Sequence, residues 1–418
     1  MNSQPFFIRF ATGCVLAIAF INTVCTPHAS AQSEEAESAA AATEASGETK
    51  ESGARIWYED GLNVESEDGN YSARFELRGQ FRFTDIDLDA DSGFGTPQTE
   101  DSELKLNRAR FKWGGHAVRE WLDYYTEYEL KKGVLLDLWV APKPDERIGF
   151  RIGKYKVPYN RERFDSSGKQ QFAERSIVTP VFTLDRQIGA AAIGRLFKGK
   201  AFDSSYATGA YLGTGRGGSR DDDGDPMLFG RWQWNMSGRV LPFSRSDLTR
   251  HPEPTGSLAV ALATNRSAYT RFSTDGGGQL PGYSTGQDGQ YDINQSMAEY
   301  AFMYKGWSIQ SEYHWKQIDD RLNGTSEDMT GFYFDTGYFF AERFEWVPEP
   351  LELAIRYAQV RPDNSAITPE STEAAIGGNW FFNGHRNKIT LDLTRLREKT
   401  PDATTASWGF RLQWDVSI

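Results

Sequence analysis

The sequence runs to 418 residues with a formal net charge of −12, 14% aromatic residues and a mean hydropathy of −0.58. The acidic balance argues against a nucleic-acid partner. Both cysteines, Cys14 and Cys25, fall in an N-terminal segment with the features of a cleaved leader, which excludes disulfides, thiolate catalysis and zinc–thiolate sites from the rest.

Residues 1–31 read as a secretory signal peptide. Arg9 supplies the positive start, Cys14 to Ile21 the short apolar core, and Ala29-Ser30-Ala31 the small-x-small cleavage pattern, so a mature chain is expected to begin at Gln32. The apolar run is shorter than the roughly 20 residues a bilayer-spanning helix needs. Residues 32–54 carry Ala, Glu, Ser and Thr with no aromatics and read as a disordered periplasmic linker, a short helix being the alternative. Six glutamates and one lysine lie there, which leaves the part from Arg55 to 418 near −8.

From Ser72 onward the hydrophobic pattern has period two. Phe75, Leu77, Phe81 and Phe83 share one face of their segment, and Arg74, Glu76, Arg78, Gln80 and Arg82 share the other. Trp232 and Trp234 alternate with Arg231, Gln233 and Asn235; Trp307, Ile309, Tyr313 and Trp315 alternate with Ser308, Gln310, Glu312, His314 and Lys316. Many segments begin or end in Trp, Tyr or Phe, as in Trp408-Gly-Phe410-Arg-Leu412-Gln-Trp414. Polar and apolar faces edged by aromatic girdles predict a transmembrane barrel, whose mean hydropathy stays low because half its strand residues avoid the lipid.

Segments of this kind fall at 72–85, 103–114, 121–130, 134–141, 147–156, 186–197, 201–213, 229–241, 255–265, 291–305, 306–317, 330–341, 351–361, 372–383, 386–397 and 405–417. The expected fold is all-β: a sixteen-stranded antiparallel transmembrane β-barrel over residues 55–418. The second segment changes phase between Leu106 and Ala109, which predicts a β-bulge. Lys131-Lys132-Gly133, Lys198-Gly199-Lys200 and Lys305-Gly306 read as short turns. Long polar loops are expected at 86–102, 214–228, 266–290 and 318–329, the longest being 157–185.

The stretch from Trp139 to Tyr159, with its strand end Gly153-Lys-Tyr-Lys-Val-Pro-Tyr159, followed by Phe172-Ala-Glu-Arg-Ser176, resembles the phosphate-selective porin O and P family. Glu103 to Arg110, Leu122 to Tyr125, Arg186 to Gly189, Leu353 to Ala358, Gly377 to Phe382 and the last strand also match, so the resemblance runs from Arg74 to the end. It implies an outer-membrane channel that passes small anionic solutes, phosphate or polyphosphate among them, through a narrow basic constriction formed by an inward-folded long loop. It also implies a homotrimer seated in outer-membrane lipid by the barrel-assembly machinery, with no cofactor. The final residue, Ile418, departs from the usual terminal aromatic but keeps its parity with Trp408 and Trp414.

The segment Lys154–Arg186 holds seven basic against four acidic residues. If it enters the lumen, Lys156, Arg161, Arg163, Lys169 and Arg175 stand where permeating anions lose hydration. The alternative is that these bases pair with Glu162, Asp165, Glu174 and Asp185 and tie the loop to the wall, Arg175 and Arg186 first. Arg74, Arg78, Arg82, Arg108, Arg110 and Arg151 form a candidate basic track along the lumen, or else a solvated face balanced by Glu76, Glu103, Asp123, Glu127 and Glu129. No histidine sits in a nucleophile-elbow or metalloprotease spacing, so no catalytic residue is assigned. Asp221-Asp222-Asp223-Gly224-Asp225 has the composition of a calcium loop without its distal Glu, and reads as a solvated loop with no metal site assigned. A weakly selective general or organic-acid porin, and a plugged structural or adhesive barrel, are the alternative functions.

Overall fold

The computed structural model describes residues 53–88, 102–218, 220–273, 277–364 and 368–418. The expected signal peptide, nearly all of the expected linker and most of the loop expected at 86–102 lie outside the described residues. Two short strands, β1 (Ala54–Tyr58) and β2 (Leu62–Ser66), form a hairpin that precedes the first strand marked by the alternation. Its turn places Asp60 and Gly61 at φ 55° and 127°. An Asp-Gly pair suits such left-handed positions, and a Cβ on Gly61 would lie 2.4 Å from the Phe75 carbonyl oxygen.

Sixteen further strands follow. The first eight are β3 (Ser72–Leu88), β4 (Glu103–Ala117), β5 (Arg119–Glu129), β6 (Val134–Pro142), β7 (Gly149–Lys156), β8 (Arg186–Leu196), β9 (Ser204–Tyr211) and β10 (Met227–Asn235). The others are β11 (Thr255–Ser267), β12 (Tyr291–Tyr304), β13 (Trp307–Asp320), β14 (Thr325–Tyr338), β15 (Leu351–Pro362), β16 (Glu370–Asn383), β17 (Asn387–Lys399) and β18 (Thr404–Ser417). Each pairs antiparallel with the next, and β18 pairs with β3 from Ser407↔Leu88 to Ser417↔Arg78, which closes the barrel. Closure leaves the barrel no open edge. The hairpin strand β2 takes over the part of β3 that β18 leaves, from Leu62↔Phe75 to Glu65↔Ser72.

Each of the sixteen segments read from the alternation overlaps one of β3–β18, in order. The bulge falls on Asn107, skipped between the pairs Gln80↔Arg108 and Phe81↔Leu106. The faces separate as the pattern requires: Leu77 and Phe81 are each 42% exposed, whereas Arg78, Gln80 and Arg82 are buried. Trp232, Trp307, Trp380, Trp408 and Trp414 all lie on the exposed, apolar side. Ile418 completes the ladder without an aromatic ring, exchanging backbone hydrogen bonds of 2.8 and 2.9 Å with Leu77.

Two expectations about the connections are corrected. The loop expected at 318–329 is a tight turn between β13 and β14, because the Asp320 carboxylate accepts hydrogen bonds from the Leu322 and Asn323 amides and stops the strands close together. The strand expected at 229–241 ends at Asn235: Ser237 and Gly238 take φ of 58° and 70°, and Pro242 follows. Residues 236–254 thus become a long connection at the end of the barrel that carries the β1–β2 hairpin.

Candidate functional site

Val157-Pro158 ends β7, since a proline cannot donate to the ladder, and the Val157 amide donates to the Asp185 carbonyl at 2.8 Å, closing the neck of the long loop. Within it lie a helical turn α1 (Arg161–Phe164), a 3-10 turn (Ser167–Lys169) and a short helix α2 (Val178–Phe182). The loop is hydrogen-bonded to strands around much of the barrel wall. The Arg161 amide donates to Glu299 on β12 (3.2 Å) and the Glu162 amide to Glu312 on β13 (2.7 Å). Gln171 donates to Glu352 on β15 (2.7 Å), the Ile177 amide to Glu373 on β16 (2.8 Å), and the Ala173 amide to Asp392 on β17 (2.7 Å). Arg78 of β3 donates to Ser167 at 2.9 Å.

Two glycines make room for the loop. A Cβ on Gly331 would lie 2.3 Å from the Phe182 ring, and one on Gly337 2.0 Å from the Gln171 amide. Val178, Val181 and Phe182 pack with Ile293, Met297, Ile318, Met329, Tyr333 and Val360 in the main apolar cluster. One side of the loop is therefore glued to the β12–β16 wall.

The centre of this attachment is Glu162, which is fully buried. It accepts hydrogen bonds from the Ser176 amide (3.0 Å), the Ser176 hydroxyl (2.6 Å) and the Thr179 hydroxyl (2.6 Å), and pairs with Arg245 (3.1 Å) and Arg356 (3.6 Å). Burial pushes its carboxyl upward, but the two guanidiniums prevail and hold it at about 2. Arg245 comes from the 236–254 connection and also pairs with Asp335 on β14 at 2.7 Å. The loop is thus gripped from both ends of the barrel.

On the other side of the loop are two cavities. The first, ≈ 490 Å³, includes Asp60, Arg74, Arg386 and Ser417 and so opens toward the hairpin end. The second, ≈ 260 Å³, includes Lys131 and Lys132 of the β5–β6 turn at the opposite end. Arg110, Lys156 and Arg186 line both. Among the described residues the second cavity is bordered by Lys105, Arg108, Arg110, Lys131, Lys132, Lys156, Arg163, Arg175, Arg186 and Arg216 against one acid, Glu129.

The structure sorts the candidate bases by partner. Lys156 donates to the Phe164 and Asp165 carbonyls at 3.2 and 3.1 Å, and Arg175 to the Glu162 and Asp165 carbonyls at 2.7 Å each. Neutral oxygens hold both without cancelling their charge. Burial, together with the neighbouring guanidiniums of Arg163 and Arg108, pulls the Arg175 pKa well below its ordinary value. Lys169 is exposed in the first cavity, with no ammonium partner among the described residues. Arg163 lines the second cavity but pairs with Asp185. Arg186 does pair with acids, at Asp137 (2.7 Å) and Glu127 (3.5 Å). Arg161 lies outside both cavities: its guanidinium is buried 4.7 Å from the Phe243 ring and donates to the Pro242 carbonyl, because the 236–254 connection fills the space it faces.

Along the track, Arg74, Arg78, Arg110 and Arg151 line the first cavity and Arg108 and Arg110 the second. Arg82 lines neither, being held by Gln413, the Ala173 carbonyl and Glu174. Arg78 pairs with Asp415 (2.5 Å), and Arg110 with Glu127 (2.5 Å) and Glu129 (2.9 Å). The aspartates 221–223 gather within 4.8 Å of one another, but Asp222 already accepts from the Ala268 amide and Ser267, and Asp225 pairs with Arg266. Their visible work is fastening one loop to the next.

A family model, phosphate-selective porin O and P, matches residues 75–413. Among solved structures, the anion-selective porin of Comamonas acidovorans superposes with a TM-score of 0.54 at 10% identity, covering 82% of this chain and 99% of its own. The outer-membrane channel DcaP of Acinetobacter baumannii gives 0.52 at 10% identity, with 84% and 99% covered. A loop-deletion form of OmpT from Vibrio cholerae gives 0.52 at 10% identity, with 82% and 99% covered. At such identities the likeness is one of fold. No curated protein matches the sequence.

Proposed function

The chain belongs to the phosphate-selective porin O and P family, and on that premise we propose that it is a bacterial outer-membrane channel through which small anions, phosphate or polyphosphate among them, diffuse past a basic constriction. The observation that carries this reading is the pair Lys156 and Arg175, cations facing a cavity and held, among the described residues, by neutral carbonyls. An anion shedding water in a narrow passage is compensated by charge-assisted hydrogen bonds, and cations not already spent on carboxylates supply them. Selectivity follows the charges at the narrowest point, so a net charge of −12 over the whole chain does not oppose it.

In this reading the 157–185 loop is the inward-folded element, Arg110, Lys156 and Arg186 are shared by the two cavities, and Lys169 adds charge on the hairpin side. The loop's apolar back against β12–β16 confines solutes to the β3–β8 side. Assembly as a homotrimer in outer-membrane lipid, with delivery by the barrel-assembly machinery, belongs to the same proposal. Replacing Lys156 and Arg175 together by Glu changes the passage by four charges. Each acts at close range with about 4 kcal/mol at 4 Å and an effective dielectric of 20. The reversal potential in a salt gradient is expected to move from anion toward cation preference; an unchanged potential contradicts the assigned constriction, and a wild type without conductance indicates the plugged barrel.

A further inference from the structure

The first cavity contains a group of aromatic side chains that passing a small inorganic anion does not require. Tyr125, Trp139, Tyr155 and Phe164 all line it. Tyr125 stacks on Trp139, with ring centroids 5.7 Å apart and planes at 29°. The Arg151 guanidinium lies 4.3 Å from the Trp139 ring centroid and 5.4 Å from that of Tyr155.

Arg151 differs from three other arginines of this cavity. Arg78, Arg110 and Arg186 each meet a carboxylate. Arg151 has no acid within 4 Å among the described residues, and its buried Nε makes no hydrogen bond. Ring faces attract a cation through their quadrupole but accept none of its in-plane N–H donors in the way a carboxylate does. The guanidinium is thus oriented while its charge is met by no carboxylate among the described residues.

We propose that this cavity is a binding subsite for aromatic oxyanions, a planar ring bearing a carboxylate or phosphoryl group. The proposal rests on the anion-channel reading and adds a substrate class to it. The oxyanion meets Arg151 and the ammonium of Lys169, and the ring contacts Tyr125, Trp139 and Phe164. At ≈ 490 Å³ the cavity falls within the range of sites for small organic ligands, roughly 300–1,000 Å³. An inorganic anion uses only the donors; an aryl anion uses donors and rings, and so is held longer.

The test is block of potassium chloride current through the purified full-length barrel in planar bilayers. Half-blocking concentrations are measured for phenyl phosphate against inorganic phosphate, and for benzoate against acetate. Aromatic contacts of this kind lead us to expect about a tenfold lower value for the aryl member. A gap in either pair supports the subsite and identifies its head group; no gap in both overturns it. In Trp139→Leu the ratio should fall toward one. If Trp139 merely braces Arg151, both members of a pair weaken equally and the ratio survives, which also overturns the proposal. Tyr125→Leu serves in its place if Trp139→Leu fails to give the heat-modifiable barrel. A cation-selective wild type would instead refute the channel reading, a result read from the reversal potential and independent of the block ratios.

Discussion

Replacing Glu162 by Gln should release the 157–185 loop while leaving the barrel closed. The side chain is fully buried, takes three hydrogen bonds from the loop itself and pairs with Arg245 and Arg356. Removing one member of a buried ion pair costs about 3–5 kcal/mol. The lower end applies here, because Arg245 and Arg356 each keep Asp335, at 2.7 and 2.9 Å. About 3 kcal/mol raises the fraction of opened loop roughly a hundredfold. The loop holds Arg161, Arg163, Lys169 and Arg175, so trypsin reports its opening directly. When closing is fast relative to cleavage, the cutting rate follows the open population. Cleavage within 157–185 of the folded barrel should therefore accelerate by about two orders of magnitude over wild type. Equal rates in the two proteins, with both barrels intact by gel mobility, would show that Glu162 does not hold the loop.

Acid should act on the same clamp. Glu162 is held at about 2 against an ordinary 4.5, and Glu174 is also held down, by Arg82 and Arg108 against the effect of burial. A depressed carboxyl contributes stability above its unfolded pKa and loses it as pH falls toward the folded one. Current noise from loop motion should therefore rise as pH drops below about 4.5, with a smaller rise in Glu162→Gln; noise independent of pH down to 2 would count against the clamp. Phe81→Arg or Tyr313→Arg should impair assembly, since Arg on the lipid face costs about 2–4 kcal/mol near the midplane. Gln233→Lys, on the opposite face, should assemble and change conductance only. Heat-modifiable gel mobility distinguishes the two, and equal tolerance would mean the faces are misassigned.

The strands were legible because alternation is a local signal: each of β3–β18 needs one face for lipid and one for water, and even the Asn107 bulge shows as a change of phase. The β1–β2 hairpin carried a readable Asp60-Gly61 turn, but its strands alternate weakly among acidic residues. The family resemblance put the distinctive motifs, from Arg151 to Ser176, on β7 and on the loop that follows it and is fastened to the wall. Partners were another matter. Nothing local distinguishes Arg175, held by carbonyls, from Arg186, held by Asp137 and Glu127. Arg161 was misplaced because the segment that covers it, 236–254, reads partly as strand and enters from the far end of the barrel. Arg245 carried no sequence signal at all: its importance lies in contacts with residues 83 and 90 positions away.

The central claim is that local positive charge, not the acidic total, decides what passes. The most direct measurement is the reversal potential of the wild-type channel in a tenfold potassium chloride gradient. Anion preference is expected, with Lys156 and Arg175 setting its sign; a cation-selective wild type would contradict the account.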